Sequence, residues 1–145
     1  MIRLMHPVCL LSLSAACCTV SGADLLADET EAVASRVQAY VTSFNQRDVK
    51  ACAKHWSENA EYVLADSGSR VRGRNAIRAA LQQLLDTDEK FELSVAGQRF
   101  RQVGKGVVLE EGTASLISAR HGVERADYVV VHVKQDGKWY RDSVR

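Results

Sequence analysis

The sequence predicts an α+β domain in which an antiparallel sheet covers a group of helices with one face. Three observations carry this. Apolar residues recur at three- and four-residue steps as far as Leu85, period-two alternation dominates after Lys90, and turn dipeptides divide that second half into hairpins.

Met1 to Pro7 carries Arg3 and no acid, and Val8 to Val20 is an apolar run too short to span a bilayer. With Ser21-Gly22-Ala23 behind it, this is the pattern of a secretory signal peptide over residues 1–23, with cleavage expected after Ala23. The competing readings are a membrane anchor, a buried N-terminal helix, or lipidation at Cys17, whose preceding Ser14-Ala15-Ala16 matches a lipobox poorly. The mature domain, residues 24–145, is then exported to the periplasm or the extracellular space, without stable membrane insertion.

From Asp28, Val33, Val37, Tyr40, Val41 and Phe44 define one amphipathic helix ending near Asn45, with Asp28, Glu29 and Glu31 crowding its positive end. Asp48 can cap a short second helix running through Trp56. Glu61 to Ala65 reads as a strand and Asp66 to Ser69 as a turn. Ala76, Ile77, Ala80, Leu81, Leu84 and Leu85 make a third helix after Gly73. The remaining strands are expected at 91–95, 107–119, 126–133 and 138–144.

The chain has 145 residues, 19 Lys plus Arg against 18 Asp plus Glu, and 46% hydrophobic residues, which suits one globular domain. Loss of Arg3 balances the mature charge at zero, so neither a phosphate backbone nor an anionic bilayer is attracted, and nucleic-acid binding is not expected. Cleavage also removes Cys9, Cys17 and Cys18, leaving Cys52 with no internal disulfide partner. No His, Cys or carboxylate group has metal-ligand spacing, and no phosphate loop, nucleophile elbow or nicotinamide or flavin fingerprint is present. No cofactor is expected.

Four segments, in order, carry a resemblance: Ser43-Phe44-Asn45-Gln46-Arg47-Asp48, then His55-Trp56 with Ala60-Glu61-Tyr62, then Arg72-Gly73-Arg74-Asn75-Ala76-Ile77, and finally Asp136-Gly137-Lys138-Trp139. Their order and spacing resemble the nuclear transport factor 2-like superfamily, in its SnoaL-like branch, over residues 28 to 145. The resemblance implies a cone, with three helices packed in a strongly curved antiparallel sheet, a pocket at the open end and frequent homodimerisation. It does not imply one activity, because similar domains include isomerases, dehydratases, cyclases, epoxide hydrolases and non-catalytic binding modules.

Two-residue turns at His121-Gly122 and Asp136-Gly137 would fix the registers of two hairpins, pairing Arg120 with Val123 and Gln135 with Lys138. One face then carries Ala114, Leu116, Val129, Val131, Val133, Tyr140 and Val144, with Glu110, Asp127 and Asp142, and is the expected core side. Asp142 becomes the candidate acid/base, facing inward among valines where a carboxyl pKa rises. Asp127 is the weaker candidate, and an ion pair between Asp142 and Arg36 is the competing structural reading. Trp56, Tyr62, Val129, Val131 and Tyr140 are expected to wall a pocket for a small, largely apolar organic molecule.

The aromatic-Arg-Asp run Tyr140-Arg141-Asp142 is similar to the closing strand of limonene epoxide hydrolase-like domains. The neighbouring strand offers Val129 and Val131 where those enzymes need a carboxylate and an arginine. Glu111, His132 and Arg141 are expected as a cross-strand network on the outer face, unless a one-residue bulge moves them into the pocket. The functional expectation is cofactor-independent proton transfer, with a non-catalytic ligand-binding or dimerisation module as the alternative.

Overall fold

The computed structural model describes residues 22–64, 67–87 and 89–145, with side chains described from Glu29 onward. The expected signal segment therefore lies almost wholly outside the described residues. The elements are α1 (Gly22–Asn45), α2 (Val49–Ala53), β1 (Trp56–Val63), β2 (Arg70–Arg72), α3 (Arg74–Leu85), β3 (Phe91–Gly104), β4 (Val107–Ser118), β5 (Gly122–Gln135) and β6 (Lys138–Val144). Among the described residues no helix is long and apolar enough to cross a membrane.

The strands form one sheet in the order β2-β1-β6-β5-β4-β3, antiparallel throughout except for the parallel β1–β6 pair. The sheet is open and curls around the helices, so that α1 packs on β3 near one edge while α3 packs on β1 near the other. Val33, Val37, Tyr40 and Phe44 are the buried stripe of α1, and Ile77, Leu81 and Leu85 that of α3. Tyr40, Phe44, Trp56, Ile77, Leu81, Tyr128 and Val130 belong to one core cluster, while Val33, Val37, Val108 and Trp139 form a second. Each fully buried side chain of this size contributes about 1.5–3 kcal/mol.

The helix junctions are held by polar side chains of the Asn45–Asp48 segment. Asn45 bonds the backbone of Leu93 twice, donating to its carbonyl at 3.0 Å and accepting from its N–H at 2.7 Å, which ties the end of α1 to β3. Arg47 donates to the carbonyls of Leu85, Thr87 and Glu89 and so closes the C-terminal end of α3, where a cation suits the helix dipole. Asp48 caps α2 by accepting from the Ala51 N–H at 2.8 Å, as expected, but α2 stops at Ala53. Trp56 therefore opens β1 and does not end a helix.

The two hairpins differ from each other. Gln135 pairs with Lys138 as expected, and this register holds to His132–Arg141. At the other hairpin Ser118 pairs with Gly122, so the loop holds three residues, Ala119 to His121, and not the expected two. Gly122 supplies the left-handed residue, with φ +74°, that ends such a loop. The Ser118 hydroxyl accepts from the His121 N–H at 3.0 Å, and Glu89 accepts from the Arg120 N–H at 3.0 Å. The resulting register is three residues away from the expected one, and an odd shift turns β4 over relative to β5.

Candidate functional site

On the corrected register the inward face carries Val108, Glu110 and Gly112 of β4, opposed by His132, Val130 and Tyr128 of β5, with Arg141 opposite His132. A bulge between Val131 and His132 absorbs Asp142, so Val144 pairs with Val130 and returns to the inward face. A second irregularity at Ala96–Arg99, with Gly97 at φ +63°, brings the Gln98 side chain to Glu110.

Glu110 is wholly buried, at 0% exposure. Its Oε1 accepts from the Tyr128 hydroxyl at 2.5 Å and from Gln98 Nε2 at 3.1 Å, and its Oε2 lies 2.7 Å from His132 Nε2. Burial alone would raise this carboxyl, but the hydrogen bonds from His132 and Tyr128, the Arg141 charge and Gln98 together hold it below the ordinary carboxylate range. Burial drives His132 the other way: its pKa is lowered, the Glu110 contact offsets only part of that, and Arg141 and Arg36 add to the depression. The pair is thus a carboxylate beside a neutral imidazole whose Nε2–H donates to Glu110. Burial also raises the Tyr128 phenol far above its usual value, reinforced by Glu110.

Side chains of α1 and β1 pack over this centre. The Arg141 guanidinium lies 4.2 Å from the Tyr40 ring centroid and 5.2 Å from that of Trp56, and Tyr62 meets Trp56 edge-on at 5.8 Å. His55 is buried beside Tyr40, and burial with the charges of Arg36 and Arg141 lowers its pKa to about 4. Cys52 is buried, and mainly by burial its thiol is pushed up to about 11, which leaves no activated thiolate.

The residues singled out from sequence divide accordingly. Trp56 is buried in the core, with Tyr62 packed against it. Val129, Val131 and Tyr140 pair on the opposite face, where Arg74 covers the Tyr140 ring at 5.8 Å, so the expected five-residue wall does not assemble. Asp142 sits at the bulge, half-buried, and accepts from the Ser57 hydroxyl at 2.6 Å, away from the Glu110 carboxylate. Asp127 is exposed and accepts from Thr113 at 2.8 Å. His132 and Arg141 are opposed as expected, but they face the core, and Glu111 opposes Val129 and Arg99 outside. Glu110, Gln98 and Tyr128 were not singled out as site residues; Glu110 was expected on the core side, and the loop length is what turns His132 and Tyr128 toward it. Among the described residues no group of three or more His, Cys, Asp or Glu side chains is placed to hold a metal ion.

The model of the SnoaL-like domain matches residues 37–142. An NTF2-like protein of unknown function from Pseudomonas putida KT2440 superposes with TM-score 0.74 at 11% identity, over 81% of this chain and 84% of that one. A provisionally named scytalone dehydratase from Novosphingobium aromaticivorans gives TM-score 0.70 at 18% identity, over 84% and 85% of the two chains. A protein from Catenulispora acidiphila, solved in complex with S-DNPA, gives 0.69 at 13% identity, over 82% and 92%. These likenesses are likenesses of fold. No curated protein matches the chain significantly.

Proposed function

Because the chain belongs to the SnoaL-like domain family, we propose that its cone interior binds a small, largely apolar organic molecule and exchanges protons with it without a cofactor. His132 is the base and Glu110 orients it. The observation that carries this reading is the wholly buried carboxylate held 2.7 Å from an imidazole nitrogen. Glu110 fixes the Nε2–H tautomer, which presents Nδ1 as the acceptor, and stabilises the imidazolium formed after proton abstraction. The nearby Arg141 cation favours the enolate that such an abstraction leaves. The reaction class is isomerisation, dehydration or cyclisation alpha to a carbonyl. One structural neighbour was solved in complex with S-DNPA and another is provisionally named a scytalone dehydratase, which supports this class. Asp142 and Asp127 take no part in the step, since each is bonded to a hydroxyl away from the Glu110 centre.

A second reading has its own support. Glu110 at 0%, His132 at 2% and Trp56 at 2% exposure are enclosed by the protein's own side chains, which suits a non-catalytic binding or dimerisation module. Exchange of the alpha protons of 2-tetralone in D2O, followed by NMR, separates the two. The catalytic reading requires wild-type protein to exceed the buffer rate and His132→Gln to lose at least a hundredfold of that excess. A wild-type rate equal to buffer leaves the second reading.

The domain is exported after cleavage at Ala23 and forms a homodimer. The short apolar N-terminal run supports the first statement, and the outward-facing, half-buried Val129, Val131 and Val133 support the second. A native mass measurement on protein purified from its own envelope should give two copies of a chain starting at Asp24. An uncleaved mass, a lipid increment at Cys17 or a single copy contradicts the corresponding part.

A further inference from the structure

We infer that the first half of β5 is a docking edge for an extended segment of another protein. The segment adds as an antiparallel strand, with a base opposite Asp127, an acid opposite Arg125 and an apolar residue opposite Val123. This surface is separate from the Glu110 centre and independent of the proton-transfer reading.

The argument begins with the backbone. β5 pairs with β4 without interruption from Val133 down to Gly122, but on its other side β6 reaches only Val130, and Arg145 adds two bonds to Val129 at 2.8 and 3.1 Å. Backbone direction alternates along a regular strand, so Asp127, Arg125 and Val123 turn their N–H and C=O groups the same way as Val129. Among the described residues nothing pairs with them there, and Val123 to Asp127 are all exposed. The slot lies in line with β6, which fixes an antiparallel direction for its occupant. The outer edge of β3 is protected by comparison: Asn45 bonds both backbone groups of Leu93, α1 packs on the strand, and the irregularity at Ala96–Arg99 breaks its line.

Side chains then say what fits the edge. Val123, Arg125 and Asp127 share the outer face, and Val123 directly opposes Ile117, the two being 51% and 37% exposed. That exposed apolar pair at the end of the slot calls for an apolar neighbour. Arg125 makes no ion pair among the described residues, and Asp127 accepts only from the Thr113 hydroxyl. A second copy of this chain is a poor occupant. The two-fold register that uses the whole stretch sets Arg125 against Arg125 of that copy, and a shift one way sets Glu124 against Glu124, both like-charge oppositions. A shift the other way drives Val123 and Gly122 of the copy into the places that Arg145 and Val144 occupy. The edge therefore repels its own kind and matches a foreign strand carrying the opposite charges, the β-augmentation mode in which main-chain bonds hold and alternate side chains select.

Titration of the 15N-labelled full chain with the blocked peptide acetyl-Lys-Val-Glu-Thr-Val-amide, followed by NMR, tests this. The amides of Val123 to Asp127 should shift, and the charge-reversed peptide acetyl-Glu-Val-Lys-Thr-Val-amide should bind about fivefold or more weakly. Methylating the peptide nitrogen of its Glu, which faces the edge, should abolish the shifts, while methylating that of its Thr, which faces away, should spare them. The Arg125→Asp/Asp127→Arg double variant should prefer the reversed peptide, and the comparisons on wild-type protein do not depend on that variant folding. Absence of shifts at this edge at about 2 mM peptide, equal affinity for the two charge patterns, or indifference to methylation at Glu overturns the inference. Shifts of the same amides on raising the protein concentration alone also overturn it, since a second copy would then be the occupant.

Discussion

A buried carboxylate persists in a protein interior only when donors meet its oxygens, and Glu110 has three of them in Tyr128, Gln98 and His132. Its neighbour two residues along, Gly112, makes that arrangement sterically possible. A Cβ there would meet the Tyr128 hydroxyl at 3.0 Å, the Ala96 carbonyl at 3.1 Å and Tyr128 Cε1 at 3.2 Å. The backbone carbonyl cannot yield, so the phenol must. Gly112→Ala should therefore push Tyr128 off Glu110 and cost about 1–3 kcal/mol, read as a fall in the urea midpoint. An unchanged midpoint would show that Tyr128 is not held there.

At the scale of elements, the end of α3 depends on a side chain from the α1–α2 junction. Replacing Arg47 by Met removes its bonds to the carbonyls of Leu85, Thr87 and Glu89, which should cost about 2 kcal/mol by denaturant titration. A loss within experimental error would mean that water satisfies those carbonyls equally well. Elements of this kind were legible in the sequence: the helical stripes of α1 and α3, the Asp48 cap and the Asp136-Gly137 turn all follow from local spacing. The site was less legible, for a physical reason. His121-Gly122 reads as a two-residue turn, yet Gly122 closes a three-residue loop braced by Ser118 and Glu89, and both two- and three-residue loops accept such a glycine. The strand irregularities at Gly97 and Asp142 depend on how the strands pair and leave no local pattern of their own. The His132–Arg141 pairing and the inward placement of Glu110 were therefore readable, while the inward direction of His132 and Arg141, and so their meeting with Glu110, were not.

At the scale of the whole molecule, the curled sheet and the helices bury one carboxylate and two neutral imidazoles, Glu110, His55 and His132. Enclosure is what separates the protonation states, and it ties the fold's stability to pH. His55 falls from 6.5 to about 4 on folding and His132 is lowered as well, so between these values the unfolded chain binds more protons than the native one. Stability is then fully present above pH 6.5 and declines as pH falls toward about 4. Glu110, depressed in the native state, adds a further loss once pH passes down through the carboxylate range.

The most direct measurement is a 15N NMR titration of the His132 imidazole in the folded protein. The account predicts a neutral ring in the Nε2–H tautomer that stays unprotonated at pH values well below 6.5, and that resists protonation to still lower pH when Glu110→Gln removes the carboxylate that raises it. A ring that becomes imidazolium near pH 6.5 in wild-type protein, or that carries its proton on Nδ1, would contradict it.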